Sequence, residues 1–258
     1  MPPFDINGFR ACLRTDSFGR NLLFDATVGS TMDVARGAAE QGAPEGTVAL
    51  ADEQTAGRGR LGRSWVAPPA VNLLPTLLLR PSDAVLRQIA MIAPLAITDA
   101  VAECTALQTD IKWPNDVQAR GKKLAGVLIE TSVHSGERFV LVGAGINVNF
   151  DPRPFDEIRD IATSVAVELG HDVERESLLA AYLGHFERMY RDAMAGGSVR
   201  DAWRSTLVTL GKDVTATWPG GIAEGVAEDV DETGALIVRT ADGARVTVEA
   251  GDVTLRRP

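Results

Sequence analysis

Apolar residues recur at helical spacing in three segments of the chain, with polar residues between them. The first can be capped by Ser30 or Thr31. The second is rich in Ala, Ile and Leu, and we expect one long core helix there despite Pro94. Glycine follows the first and the third segments, where helices commonly end. The three predicted helices cover about 30–41, 83–107 and 176–195.

Shorter apolar runs between these segments predict β-strands. Pro75 indicates that the second strand lies at a sheet edge or contains a bulge. Pro114 disfavours helix and indicates a turn between two short strands. His134-Ser135-Gly136 is typical of a hairpin turn, and we expect the strand after it to be an edge that could pair between subunits. The predicted strands are 47–51, 71–79, 111–117 (two short strands about the turn), 123–131 and 138–148.

The character of the chain changes at about residue 211. Short β-rich runs alternate with turns that contain Gly and Asp, a pattern typical of a small barrel of the SH3 type. These runs are 214–218, 225–230, 235–239 and 245–249. We therefore predict an α+β fold: a mixed, mostly antiparallel sheet with helices packed on one side in residues 1–209, then a small barrel in residues 210–258.

Composition favours a soluble protein that binds small molecules. The chain has 26 Lys+Arg against 35 Asp+Glu, a net charge of −9, whereas non-specific nucleic-acid binding usually needs a basic field. No run approaches the roughly 18 apolar residues of a membrane span. The start of the chain lacks a signal-peptide pattern, and Cys12 and Cys104 have no metal-like spacing. We expect a cytoplasmic protein.

Positive charge is concentrated in the segment 53–65, here called the arginine loop. Arg58, Arg60 and Arg63 alternate with glycines, and Trp65 closes the run. Glycines let backbone approach a ligand closely, and guanidinium groups match phosphate and carboxylate oxygens. In an acidic protein this pattern favours a focused site for a small anion. A solvated basic loop and a nucleic-acid patch are the alternatives.

Three further motifs combine residue types that suit a binding site: Lys112-Trp113-Pro114-Asn115-Asp116, the strand 122–130 headed by two lysines, and the glycine-containing strand 143–149. Each also has a purely structural explanation. The first motif could be a hairpin whose tryptophan covers the core, and the lysines of the second could simply mark the start of a strand. The glycines of the third could allow close packing against a helix. The phosphate loop, the serine elbow and the helical zinc motif are absent from the sequence. The three histidines, His134, His171 and His185, are interpreted as surface residues.

In this order and spacing, the motifs resemble those of the biotin protein ligases, also called biotin–acetyl-CoA-carboxylase ligases. The resemblance runs from about Gly29 to the C-terminus. The matching blocks are Gln54–Arg63, Lys112–Asp116, Lys123–Gly126 and Ala162–Ser164. It implies a core like that of class II aminoacyl-tRNA synthetases with a small C-terminal barrel. Fewer than thirty residues precede the matched region, so a short form without an N-terminal DNA-binding domain is expected.

The resemblance also implies roles for individual residues. Many members carry asparagine where this chain has Met32, which leaves a ligand contact from that side chain open. The residues implied in biotin binding are Ser30, Thr31, Gln54, Gly57, Arg58, Lys123 and Gly126. Those implied in binding ATP and the adenylate are Arg60, Arg63, Trp65, Lys112, Asn115 and Asn147. The implied catalytic residues are Lys123, Arg60, Lys112 and Asp116.

The implied reaction joins biotin to ATP as biotinyl-5′-AMP and passes the biotinyl group to a lysine of a biotin carboxyl carrier domain in an acyl-CoA or pyruvate carboxylase. Mg²⁺ is expected through the phosphates. We expect no direct DNA binding, no membrane association, and a monomer or weak homodimer. A lipoate or octanoate ligase of the same fold is the nearest alternative, although the Gly-Arg run argues against it. A nucleic-acid-binding module is a second alternative, which the acidic charge disfavours.

Overall fold

A mixed seven-stranded sheet forms the larger part of the protein in the computed structural model, which describes residues 1–255. The last residues of the predicted barrel, 256–258, lie outside the described part. The strand order is β1-β2-β3-β7-β6-β5-β4; β1 and β2 are parallel and the other neighbours antiparallel. This confirms the predicted sheet. Its strands are β1 (Leu22–Val28), β2 (Val48–Gln54), β3 (Thr76–Leu79), β4 (Asp110–Lys112), β5 (Asp116–Ala119), β6 (Lys122–His134) and β7 (Glu137–Ile146).

Helices cover both faces of this sheet, so the expectation that they lie on one side was wrong. Alternate residues of a strand face opposite sides. In β2, Ala49 joins the small core with Met32 of α2, whereas Val48 and Leu50 join the large core with α4 and α6. The helices are α1 (Ile6–Cys12), α2 (Thr31–Glu40), α3 (Asp83–Leu86), α4 (Ile89–Thr105), α5 (Val165–Leu169), α6 (Arg175–Met194) and α7 (Arg200–Ser205).

The predictions of one long helix and of an edge or a bulge at Pro75 were wrong, whereas the prediction that a helix continues through Pro94 is confirmed. The segment 83–107 forms two helices rather than one, and the break lies between α3 and α4, whereas Pro94 is accommodated inside α4. Pro75 marks neither an edge nor a bulge, because β3 lies between β2 and β7. The register across the proline is unchanged, with Leu73 opposite Ile146 and Thr76 opposite Gly143. The carbonyl of Pro75 accepts a hydrogen bond from Ala144 N at 2.9 Å, so the sheet forgoes only the bond that the proline cannot donate.

The position of β7 also overturns the predicted pairing between subunits. This strand is the one expected at an edge, but β3 and β6 flank it on both sides. Its backbone N–H and C=O groups form hydrogen bonds to these two strands, so they are not free to pair with a strand of another subunit.

The C-terminal segment forms a second sheet of five antiparallel strands in the order β11-β10-β9-β8-β12. Its end strands, β11 and β12, do not pair with each other within residues 1–255, so the sheet is open rather than closed into a barrel. The small β domain was predicted, but its last strand was not. The strands are β8 (Asp213–Trp218), β9 (Gly221–Val230), β10 (Leu236–Thr240), β11 (Arg245–Val248) and β12 (Asp252–Leu255).

Trp113 joins the two sheets. Its backbone N donates to Thr209 Oγ1 at 2.9 Å, and its indole Nε1 donates to the carbonyl of Gly234 at 3.0 Å. A single hydrophobic cluster includes buried residues of both sheets, such as Leu77 and Val238. No helix in residues 1–255 is long and apolar enough to cross a membrane.

Candidate functional site

A cleft of about 760 Å³ opens where the arginine loop, the first turn of α2 and strand β12 meet the large sheet. It brings together residues far apart in sequence, including all but one of the predicted site residues. Those that line it are Ser30, Thr31, Gln54, Arg58, Arg60, Arg63, Trp65, Lys112, Asn115, Asp116, Lys123, Gly126 and Asn147. Gly57 is the exception. Its carbonyl accepts a hydrogen bond from Trp65 N at 3.0 Å and closes the loop.

One end of the cleft is polar and buried. Gln54 Oε1 accepts hydrogen bonds from Thr31 N at 2.7 Å and from Thr31 Oγ1 at 3.1 Å, and Thr31 Oγ1 lies 2.9 Å from Thr76 Oγ1. Ser30 is the N-cap residue directly before α2, but its hydroxyl makes no capping bond. That oxygen is buried and has no hydrogen-bond partner among residues 1–255, which is uncommon for a buried polar group. The pocket therefore presents a free hydroxyl beside an ordered amide.

Two glycines on β7 make room for two large side chains over the sheet. A Cβ on Gly145 would lie 2.3 Å from Cε2 of Trp65, and a Cβ on Gly143 would lie 2.8 Å from Sδ of Met32. Both positions must lack a side chain for the indole and the thioether to lie where they do. The sequence indicated close approach at this strand, and the approaching groups are Trp65 and Met32.

Residues 57–65 of the arginine loop form a hairpin. Gly59 N donates to Arg63 O at 2.7 Å, and a single 3₁₀ turn, Arg60–Gly62, forms the tip. Arg58 makes a two-pronged contact with Asp33 of α2 at 3.0 and 2.7 Å. Hydrogen bonding to this guanidinium lowers the pKa of Asp33. Arg58 therefore fastens one side of the loop to the helix beside the polar end.

The two arginines at the tip of the loop reach the other side of the cleft. Arg60 donates to Asn115 Oδ1 at 2.9 Å and to the carbonyl of Gly251 at 3.1 Å. Arg63 forms an ion pair with Asp252, the first residue of β12. The loop thus spans the cleft from α2 to the C-terminal sheet, with its guanidinium groups along the opening.

Lys123 lies beneath the loop. Its Nζ is 2.6 Å from Asp116 Oδ1 and 5.4 Å from the centre of the Trp65 ring, within the range of a cation–π contact. Its backbone is fixed by bonds to the block around Thr163: Lys123 N donates to Ile161 O at 2.8 Å and Thr163 N to Lys123 O at 2.9 Å. The ammonium of Lys123 therefore balances the negative charge of the Asp116 carboxylate at that position.

Asn147, at the end of β7, resembles Ser30 in having an unused polar atom. Its Nδ2 donates to Thr163 O at 3.0 Å, but its buried Oδ1 has no hydrogen-bond partner in the described part of the chain. The histidines and cysteines take no part in the cleft: neither His134, His171 and His185 nor Cys12 and Cys104 line it. Partial desolvation and the neighbouring Glu103 carboxylate raise the pKa of the exposed Cys104 thiol, whereas a reactive thiol needs a lowered pKa.

Two groups at the site were not found in the sequence. Thr76 completes the hydroxyl pair with Thr31, and Asp252 pairs with Arg63 across a sequence separation of 189 residues. Thr76 follows a proline at a strand start, which gave a faint signal. Asp252 lies in a β-rich segment with no motif, and only the folded chain brings it to the loop.

Comparisons with known proteins agree with this geometry. A family model described as the biotin/lipoate A/B protein ligase family matches residues 24–147, and one described as the biotin protein ligase C terminal domain matches residues 209–256. The biotin–[acetyl-CoA-carboxylase] ligase of Mycobacterium tuberculosis is 35% identical over 263 residues, covering 98% of this chain and 96% of that protein. The bifunctional ligase/repressor BirA of Bacillus subtilis is 35% identical over 249 residues, covering 94% and 76%.

The fold gives the same result. The biotin protein ligase of Aquifex aeolicus, solved in complex with biotin and ATP, superposes with a TM-score of 0.80 at 30% identity, covering 93% of this chain and all of that one. The class defined by fold and cleft is that of ligases of the biotin/lipoate type. Within it, the chain belongs to the biotin protein ligase family, as the motifs predicted.

Proposed function

We propose that the protein activates biotin with ATP to biotinyl-5′-AMP and transfers the biotinyl group to a lysine of a biotin carboxyl carrier domain. The observation that carries this proposal is the arrangement of Arg60, Arg63, Lys112 and Lys123 around one cleft whose other end is polar and buried. Cations suit a polyphosphate and a carboxylate, and the polar end suits a small heterocycle with its own donors and acceptors.

In the first step, a carboxylate oxygen of biotin attacks the α-phosphorus of ATP. The new C–O–P link forms as the bond to the pyrophosphate oxygen breaks, and the pyrophosphate carries away the electron pair. Arg60 and Lys112 reduce the repulsion between carboxylate and phosphates, and Lys123 faces the bond that forms.

Biotin is held by Ser30, Thr31 and Gln54 at the polar end, beside Arg58 and Gly126. Gly57 supports this region by closing the loop against Trp65. We assign nucleotide contacts to Trp65, Asn115, Arg63 and Asn147.

In the second step, the neutral amine of a carrier lysine attacks the acyl carbon and AMP leaves with the electron pair of the broken bond. The nitrogen must lose a proton, and Asp116 is the carboxylate that lines the cleft beside Lys123. We assign Asp116 to orient this amine and accept its proton. Release from the ion pair with Lys123 makes its carboxylate available. The acyl-adenylate hydrolyses readily, so a loop that spans the cleft protects it from water.

Magnesium fits this site as a companion of ATP rather than as a resident ion. No group of three or more His, Cys, Asp or Glu side chains within residues 1–255 could hold a metal ion. Mg²⁺ commonly binds through substrate phosphates and only one or two carboxylates. Asp116 and Asp160 line the cleft and could contribute. When bound, the ion would neutralise phosphate charge.

The wider assignments rest on the same family relationship. The carrier belongs to an acyl-CoA or pyruvate carboxylase, the reaction takes place in the cytoplasm, and residues 1–209 and 210–258 are the two domains. We also propose that the chain does not bind DNA directly and acts as a monomer or weak homodimer. A gel shift at low salt and sedimentation analysis test these two statements; a sequence-specific shift or a tight dimer would contradict them.

Pyrophosphate release with MgATP is the experiment that tests the function, run with biotin, lipoate and octanoate in parallel. Biotin alone should support release, and mass spectrometry of an added biotin carrier domain should then show one added biotinyl mass. Release with lipoate or octanoate only would transfer the protein to the other branch of its family. Absence of release with all three acids would refute acid activation by this cleft.

A further inference from the structure

We propose that Asp252 of the C-terminal sheet competes with nucleotide phosphates for Arg63 and so sets the affinity of the cleft for ATP. This inference rests on the proposed function, and it gives the C-terminal sheet a role in nucleotide binding. The carboxylate is a positioning group: it acts on the substrate through the arginine it holds.

The first support is the place of Asp252 in the cleft. Asp252 and Arg63 both line it, and they form an ion pair there. The side chain of Arg63 is 68% exposed and that of Asp252 is 32% exposed, so an incoming anion can reach the arginine while the fold stays intact. Carboxylate and phosphate oxygens use the same guanidinium donors, and a single Arg63 cannot satisfy both fully.

The second support is that Asp252 stands on a rigid base. It pairs with Thr217 at the start of β12. The preceding residue, Gly251, lies so close to β8 that a Cβ there would be 2.4 Å from Thr217 O. The carbonyl of Gly251 also accepts the bond from Arg60 at 3.1 Å. The sheet therefore presents two fixed acceptors, one for each arginine at the loop tip.

The third support is the backbone of the loop tip. Leu61, between the two arginines, has φ 55° and a side chain that is 69% exposed. A left-handed leucine is unfavourable, and the side chain buries little surface to compensate. The tip is therefore held in place by the contacts of its arginines. When a phosphate replaces the Asp252 carboxylate as the partner of Arg63, one of these contacts changes.

Asp252→Asn tests the proposal because it keeps the shape and removes the charge. We expect the KM for MgATP to fall about two- to fivefold, as expected when an exposed ion pair no longer competes, with the KM for biotin unchanged. Trypsin should cut after Arg58, Arg60 or Arg63 severalfold faster in the variant without nucleotide. MgATP with biotin should abolish this difference.

Asp213→Asn is the matched control, since Asp213 is an exposed carboxylate at the start of β8 that does not line the cleft. It makes the same change in net charge and should alter neither measurement. In an Arg63→Ala background, Asp252→Asn should lose its effect on the KM for MgATP.

An unchanged or raised KM in Asp252→Asn, or an effect that persists without Arg63, would overturn the proposal. Failure of the proposed function would look different, because wild-type protein would then release no pyrophosphate with biotin. In that event, calorimetric titration measures the Kd for MgATP in the same variants and tests the competition without any enzymatic activity. Asp252→Asn should bind MgATP more tightly than the wild type.

Discussion

Lys123 is the side chain at which the contacts of the cleft converge. Asp116 holds its ammonium, the indole of Trp65 lies above it, and the segment 161–163 fixes its backbone. A Cβ on Gly126 would lie 2.9 Å from its Nζ, so the lysine lies directly over β6. These contacts fix the charge at one point of the cleft, as electrostatic catalysis requires.

Lys123→Ala is expected to slow biotin-dependent pyrophosphate release by about 100-fold or more, the usual cost of removing a preorganised charge at the reacting centre. The neighbouring Lys122→Ala is the control, because Lys122 is exposed and its Nζ makes a long contact of 3.4 Å to Arg159 O. Steady-state rates and melting temperatures of both variants provide the comparison. A nearly wild-type rate in Lys123→Ala would make this lysine a structural residue.

At the scale of single residues, the sequence motifs and the family resemblance named fourteen site residues, and thirteen of them line one cleft. Their individual roles stay predictions. Asp252 escaped prediction because its partner lies 189 residues away, and no local pattern encodes such a contact. Gly57 does not line the cleft and closes the loop through its carbonyl, a use of glycine that the local sequence does not distinguish from close approach to a ligand.

At the scale of elements, prediction followed periodicity. The helices α2 and α6 and the strands β6 and β7 have clear apolar patterns and were found with small errors at their ends. In contrast, β1 was missed because it is an edge strand whose residues are partly or fully exposed without alternation. The edge predicted from Pro75 was wrong because a central strand tolerates proline where only its carbonyl is needed.

The N-terminal elements are anchored by a carboxylate on α6. Glu187, with a side chain 6% exposed, accepts hydrogen bonds from the backbone N of Asp16 and Ser17 at 2.7 Å and of Phe18 at 3.0 Å, and from Ser17 Oγ at 2.7 Å. Burial alone would raise the pKa of Glu187, but these donors outweigh it and lower the pKa below its ordinary value.

Glu187→Gln is expected to lower the free energy of unfolding by about 2 kcal/mol at pH 7, because hydrogen bonds to a charged acceptor are lost. A depressed folded-state pKa means that this contribution is present above the unfolded pKa of about 4.3 and is lost as the pH falls through the folded value. Urea denaturation at pH 7 and pH 3 measures the free energy of unfolding of the wild type and of Glu187→Gln. The difference between the two proteins should become smaller at pH 3.

Glu157→Gln is the control for charge removal, since Glu157 is exposed, and it should change stability little at either pH. A difference between wild type and Glu187→Gln that is equally large at pH 3 would contradict this account. It would point to a loss of packing rather than of a charged acceptor.

At the scale of the whole molecule, charge is segregated. The chain carries a net charge of −9, yet five lysine and arginine side chains line one cleft at the junction of the two sheets. Four of them already contact an acceptor oxygen, supplied by Asp33, Asp116, Asp252 and the carbonyl of Gly251. The site is thus assembled from both sheets, so catalysis depends on how they are held together.

The two sheets should unfold together. One hydrophobic cluster runs through both, and the buried Trp113 hydrogen-bonds Thr209 and Gly234 from the larger sheet. Calorimetry should therefore show one transition whose calorimetric and van't Hoff enthalpies agree, although multi-domain chains often violate this. Trp113→Phe removes the indole bond, worth about 1 kcal/mol, and should lower the midpoint of that one transition by about 2–4 °C. Two separated transitions, in the wild type or in the variant, would mean that the C-terminal sheet is held only at its surface.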